Sequence, residues 1–244
     1  MNKILHIQKQ HAVFIGDFGF ACEHRHGALV LLIGLSGPFM VRLAGQEAVH
    51  CRSALIDADV DHSVDCRGEH VATVYFELHS TQAQALKYSF LSQTKAAFEL
   101  VDVAFCHKHF ERRILSLDLP SLLKYSIERP RDQFDLRILS CIDLMQRIPQ
   151  EPYHQLELSH QLGLSNSRLN HLFKQNIGIS YRYYKVWSKL AFFMRDFHAT
   201  DSLTLSALNS GFSDSSHLSN TYKKAFGISP SQILNKLTDY KVSI

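Results

Sequence analysis

The 244-residue chain is 45% apolar and 20% charged, a balance that excludes a fibrous or wholly disordered protein and allows one large core or two modest ones. Its net charge of +3 is unevenly spread: residues 1–132 carry 14 Lys+Arg against 15 Asp+Glu, and residues 133–244 carry 12 against 8. A near-neutral half joined to a basic half suits a sensor joined to a nucleic-acid binder.

No apolar run approaches the roughly 18 residues that cross a bilayer, and the first ten residues have no apolar signal core, so a cytoplasmic address and no membrane partner are expected. The five cysteines, Cys22, Cys51, Cys66, Cys106 and Cys141, are odd in number and lack C-x-x-C spacing, which argues for reduced thiols.

From Val13 to His79 the chain reads as short β runs parted by turns. Strands are expected at 12–15, 28–35, 38–44, 53–57 and 71–78, a spacing that fits a sandwich or small barrel. Residues 81–128 change character, with Ala83, Leu86 and Phe90, then Phe110, Ile114, Leu117 and Leu122, near helical spacing. The polar, proline-bearing stretch 128–132 is the best boundary. Expected domains are therefore a β sensor over 1–80, a helical segment over 81–132 that packs on the barrel or pairs two subunits, and a DNA-binding domain over 133–244.

Beyond the boundary, Phe134, Ile138, Leu139, Ile142 and Met145 form a helical stripe that Pro149 ends. A helix at 155–162, a Gly163-Leu164 turn, an N-capping Ser165 and a helix closing at Gly178 follow. Residues 180–197 predict a longer aromatic-rich helix. The sequence then repeats the device: Leu203, Leu205 and Leu208, a Gly211-Phe212 turn, a Ser-Asp start, and a helical segment through Leu218, Tyr222 and Phe226 that Gly227 closes before Ser229-Pro230. Helix, tight turn, helix is the layout of a DNA reader.

Ala207, Gly211, Phe212, Asp214, Ser216, Leu218, Phe226, Gly227, Ser229 and Pro230 resemble the signature of AraC/XylS bacterial transcription regulators. Leu158, Leu162, Leu164, Ser165, Leu169, Phe173, Lys174, Gly178 and Ser180 resemble the first reader of the same family, with Ser159 where alanine is usual. The resemblance covers residues 133–236. It implies two helix-turn-helix units joined by a long helix, promoter DNA and RNA polymerase as partners, and a regulatory rather than catalytic role. A connecting helix of about 18 residues spans roughly 27 Å, which with loops approaches the ~34 Å turn of B-DNA.

On the first reader Asn166, Ser167, Asn170 and His171 point away from the apolar stripe; on the second Ser215, Ser216, Ser219 and Asn220 do. These are the base-contact candidates, with asparagine suited to adenine and serine permissive. His171 and Asn220 stand where arginine is common in the family, so an A·T-leaning or shape-dependent site is expected. Arg168, Lys174, Arg182, Lys185, Lys189, Lys223 and Lys224 are the phosphate-contact candidates.

His24 and His26, which share one strand face, and the later His62 resemble the histidine pattern of cupin-type sensor domains that precede such readers. That resemblance implies a cupin-like β-barrel, making the whole chain α+β, and marks these three as effector or metal candidates. It also leaves open a homodimer formed through the sensor. The motif glutamate is absent, since 28–35 holds no acidic residue. The reading taken first is a regulator answering a small organic effector; the alternative is a metal-responsive regulator using His24, His26 and His62 on zinc, nickel or copper. No cofactor is otherwise expected. Cys106, His107 and His109 are a further ligand-like group. No phosphate loop, nucleophile elbow or H-E-x-x-H occurs, and no catalysis is expected.

Overall fold

The computed structural model describes residues 3–101, 112–128, 134–147, 155–235 and 237–243. Cys106, His107 and His109 lie outside them, as does most of the expected boundary at 128–132. The chain falls into two compact units, Met1–Pro130 with Tyr222–Ile244, and Arg131–Thr221.

The first unit is built on two sheets. One runs β10-β7-β4-β9-β2-β1-β11 and the other β3-β8-β5-β6. The strands are β1 Lys3–Ile7, β2 His11–Gly16, β3 Phe20–His24, β4 Leu29–Gly34, β5 Phe39–Leu43, β6 Val49–Cys51, β7 Ser53–Ile56, β8 His62–Asp65, β9 Val71–Phe76, β10 Ala96–Phe98 and β11 Leu237–Val242. The five expected strands correspond to β2, β4, β5, β7 and β9. Every residue of β4 is buried, because it lies inside the larger sheet between β7 and β9; that burial is why Leu29–Gly34 reads as an unbroken apolar run.

The segment expected to be helical over 81–132 is mixed. Helix α1, Thr81–Phe90, starts at Ser80, whose side chain accepts from the Ala83 amide, and buries Ala83, Ala85 and Leu86. Ala96–Phe98 then pairs as β10 with the β7 edge. Edge pairing overrides the helical propensity of two alanines, because the sheet offers amides and carbonyls that a strand can satisfy. A short helix α2, Leu119–Leu122, follows.

The second unit is helical: α3 Leu136–Arg147, α4 Gln155–Gln161, α5 Asn166–Ile177, α6 Tyr181–Thr200, α7 Leu203–Asn209 and α8 Ser215–Phe226, the last turn of which belongs to the first unit. A single turn α9, Pro230–Leu234, precedes β11. Leu158, Leu169, Phe173, Tyr184, Leu190 and Phe193 are wholly buried and form the core that holds the first reader and α6. Tyr222–Ile244, which the sequence groups with the DNA-binding helices, instead packs on the sheets. β11 adds to β1 in parallel, with Lys3 opposite Leu237 and Ile7 opposite Val242.

Candidate DNA-reading helices and a buried histidine cluster

Two helix-turn-helix units take the expected form. In the first, α4 ends, Gly163 turns the chain at φ +66°, and the Leu164 amide closes on the Ser159 carbonyl at 2.8 Å. The left-handed turn favours glycine because a side chain there strains the backbone. Ser165 then caps α5, accepting from the Arg168 amide at 3.2 Å, and Gly178 ends it at φ 90°. Leu169, Leu172, Phe173 and Ile177 are buried, which leaves Asn166, Ser167, Arg168, Asn170, His171 and Lys174 exposed.

In the second unit Gly211 turns at φ +76°, and Asp214 caps α8, accepting from the His217 amide at 2.7 Å. Hydrogen bonds to its ionised form, that amide first, hold the Asp214 carboxyl below its ordinary range. Leu218 is buried; Ser216, Asn220, Lys223 and Lys224 are exposed, and Ser215 and Ser219 are half-buried. His217 is exposed on the same helix, its ring edge-on to Phe212 at 5.4 Å, a position the sequence pattern does not single out.

The cationic candidates divide. Arg168, Lys174, Arg182, Lys223 and Lys224 are exposed, and Lys185 is half-buried. Lys189 is committed inward: its Nζ donates to the Gly211 carbonyl at 2.6 Å and lies 5.7 Å from the centre of the Phe212 ring. Burial and the neighbouring Lys185 lower its pKa. It therefore ties the long helix α6 to the turn of the second reader, a structural duty that its spacing among surface cations hides.

The first unit brings together His24, His26 and His62. They are 5%, 4% and 1% exposed, and one ring nitrogen from each lies within 4.8 Å of the others. The convergence follows from register. His24 ends β3, His62 begins β8, and the two are direct partners across the antiparallel pair. His26 follows two residues on and reaches the same interior point, its Nε2 3.1 Å from that of His24.

Backbone carbonyls orient the rings. His24 Nδ1 bonds the Cys22 carbonyl at 2.6 Å, His62 Nδ1 bonds the Val60 carbonyl at 2.8 Å, and His26 faces the Ala225 carbonyl. A nitrogen that donates to a carbonyl holds the ring proton, so the Nε2 lone pairs of His24 and His62 turn inward. His62 Nε2 is buried with no hydrogen-bond partner. Burial, and then the charge of His62, pushes His24 down to about 3. Burial foremost holds His26 well below the ordinary range and lowers His62. The set is therefore neutral near pH 7.

Three neutral imidazoles converging with fixed outer hydrogen bonds match the donor chemistry of zinc, nickel or copper sites. Among the described residues no cysteine or carboxylate joins the group. Burial pushes the Cys51 and Cys66 thiols up to about 12, so neither is a thiolate ready for metal. Tyr75 and Phe226 wall the cluster, with ring centres 5.1 and 5.5 Å from His26. Phe226 reads in the sequence as part of the reader's own apolar stripe; the structure gives it this second set of neighbours.

A sheet-rich unit is thus followed by two capped helix-turn-helix devices, the layout of a DNA-reading domain. Residues 158–236 match the family model described as a helix-turn-helix domain. No curated protein matches the chain. The fold is similar over nearly the whole chain to ToxT from Vibrio cholerae: one structure has a TM-score of 0.59 at 14% identity, covering 94% of this chain and 98% of that one. An apo form of ToxT carrying a single lysine-to-alanine substitution gives 0.60 at 11%, covering 96% and 100%. Wild-type ToxT with bound unsaturated fatty acid gives 0.60 at 12%, covering 94% and 96%. Among the described residues no helix is long and apolar enough to cross a membrane.

Proposed function

We propose that this protein is a metal-responsive transcription regulator, in which the sheet-rich unit holds a divalent cation on His24, His26 and His62 and the two readers bind promoter DNA. The observation that carries the metal is the orientation of the rings. Two of them spend their Nδ1 protons on backbone carbonyls, and His62 Nε2 is buried without a partner. An uncompensated buried acceptor is costly, and a divalent cation taking the place of the His24–His26 ring contact would engage the inward nitrogens of all three rings. Three imidazoles leave a fourth position open on a tetrahedral ion.

The readers supply the output. Asn170 and Asn220 have the donor–acceptor pair that reads adenine, while Lys174, Lys223 and Lys224 offer charge to phosphate. The test is elemental analysis and zinc titration of the purified protein beside the His24→Ala/His26→Ala variant. Near-stoichiometric zinc in the first and none in the second is expected. Equal zinc in both sinks the assignment.

A second reading, an organic acid as effector, is favoured by a groove of about 290 Å³ lined by Lys3, Asp17, Phe18, Ser231, Gln232 and Asn235. Lys3 is its cation, and ToxT has been seen with an unsaturated fatty acid bound. Lys3 already donates to the Gln232 carbonyl at 2.5 Å, so a carboxylate there must displace an internal bond. A cation at the histidine cluster displaces only the His24–His26 ring contact and gains three nitrogen ligands in return, so the cluster is preferred.

A further inference from the structure

We infer that occupancy of the histidine cluster docks the end of the second reading helix through Phe226 and Gly227, and that the C-terminal strand is the latch that keeps this end of the chain on the sheets. The inference rests on the metal reading above and adds to it a regulatory connection.

The cluster and the end of the reader are direct neighbours. Ala225, in the last turn of α8, presents its carbonyl to His26. Phe226, the final residue of that helix, has its ring centre 5.5 Å from His26 and 5.6 Å from Tyr75. The next residue, Gly227, accepts from the Cys22 amide at 3.1 Å through its carbonyl. It sits so close to β3 that a Cβ on it would overlap the Cys22 oxygen and lie 2.6 Å from His24 Nδ1. Cys22 is also the residue whose carbonyl orients His24. The same short stretch of β3 thus holds a cluster histidine on one side and the exit of the reading helix on the other.

Beyond Gly227 the chain runs through α9 into β11. This strand pairs with β1, and Thr238 Oγ1 donates to the Lys3 carbonyl at 3.1 Å. His6 Nε2 meets Asp239 Oδ2 at 2.8 Å, and the Ser243 amide donates to the Ile7 carbonyl at 2.8 Å. Residues 237–243 lie beyond the match to the helix-turn-helix family, which ends at 236. They are therefore an addition to the reader, and their partners are in the sensor.

The direction of coupling follows from imidazole chemistry. A cation on one ring nitrogen polarises the N–H of the other and strengthens its bond to a carbonyl. Metal on His24 thus tightens its hold on the Cys22 carbonyl, and the amide of the same residue binds the Gly227 carbonyl at the end of α8. Occupancy favours the docked end of α8. By reciprocity, docking favours occupancy by the same factor. Because the rings are almost wholly buried, the cover formed by Phe226 and Gly227 also slows escape of the ion.

The experiment is hydrogen exchange of the intact chain with and without zinc, read at the amides of 222–243, paired with zinc release to a chelator from the intact chain and from a chain ending at residue 236. Zinc should slow exchange in 222–243 by roughly tenfold, and loss of β11 should speed release by a similar factor, within the usual range of coupling. Should the shortened chain not fold, Asp239→Pro, which removes one strand amide and the His6 partner, replaces it. Stoichiometric zinc with unchanged exchange and equal release overturns the latch and leaves the metal site standing. Failure of the intact chain to bind zinc overturns both.

Discussion

Gly227→Ala separates the role of this glycine in a turn from its role against β3. The residue has φ +71°, where a side chain costs about 1–2 kcal/mol. Gly45 has nearly the same angle, φ +72°, but nothing lies within 4 Å of where its Cβ would be. Gly45→Ala therefore measures the backbone cost alone, within the same compact unit. At Gly227 the new methyl overlaps the Cys22 carbonyl and His24 Nδ1, so the segment must withdraw. Withdrawal breaks the bond between the Cys22 amide and the Gly227 carbonyl, worth about 1 kcal/mol. It also uncovers the packing of Phe226 on His26 and Tyr75, worth roughly another 1 kcal/mol. Gly227→Ala should then cost about 3–4 kcal/mol against about 1–2 for Gly45→Ala. Urea unfolding followed by a probe in the sheets, with hydrogen exchange at 222–243 as the local measure, reads both. Equal losses in the two variants would refute the close approach, and with it the argument that α8 ends on β3.

Lys189→Met keeps the aliphatic stem but removes the donor to the Gly211 carbonyl; it should lower stability by about 1–2 kcal/mol in thermal or urea unfolding. Lys174→Met, on an exposed position, should leave stability within about 0.5 kcal/mol and reduce the slope of log affinity for DNA against log salt by roughly one. Asn220→Ala should change preference at one base pair, by about 1–3 kcal/mol in a competition assay across site variants. Burial lowers the His11 pKa from 6.5. The unfolded chain therefore takes up a proton there before the folded one does, and stability falls as pH drops below about 6.5 until the folded value is reached, by at most about 1.4 kcal/mol per pH unit. His11→Phe should flatten that part of the acid profile; an unchanged slope contradicts the burial argument.

The readers are legible because their signals are local. Ser165, Gly178, Gly211, Phe212 and Gly227 occupy caps and turns whose geometry demands those residue types, and Leu169, Phe173 and Leu218 supply the buried stripe at helical spacing. The histidine cluster is half legible: His24 and His26 share a strand parity, but only the pairing of β3 with β8 brings His62 opposite His24. Strand β1 carries the alternation of Leu5 and Ile7, both buried, whereas β11 is not legible at all. β11 reads Leu-Thr-Asp-Tyr-Lys-Val with no buried residue, so it lacks an apolar face to announce it, and its partner lies at the other end of the chain. Phe226 and Gly227 satisfy the reader motif so well that nothing in their spacing betrays their contacts with β3 and the histidines. Lys189 misleads for the opposite reason, since a lysine among lysines on a helix looks solvated until the Gly211 carbonyl is found beside it.

The pairing of β1 with β11 also sets an order on folding. His6 and Asp239 are 233 residues apart in sequence, and among the described residues no other strand takes the place of β11 on that side of β1. While the chain is being made, the β1 edge can close on β2 early but must present unpaired amides until residues 237–242 emerge. Such an edge invites pairing with other chains, and contacts of long sequence separation form late. Nascent molecules should therefore pass through a period in which the larger sheet is folded and open at the β1 edge. Overexpressed protein should be lost to aggregation chiefly in that interval, with cooler and slower synthesis prolonging the exposure on the ribosome while reducing encounters between neighbours.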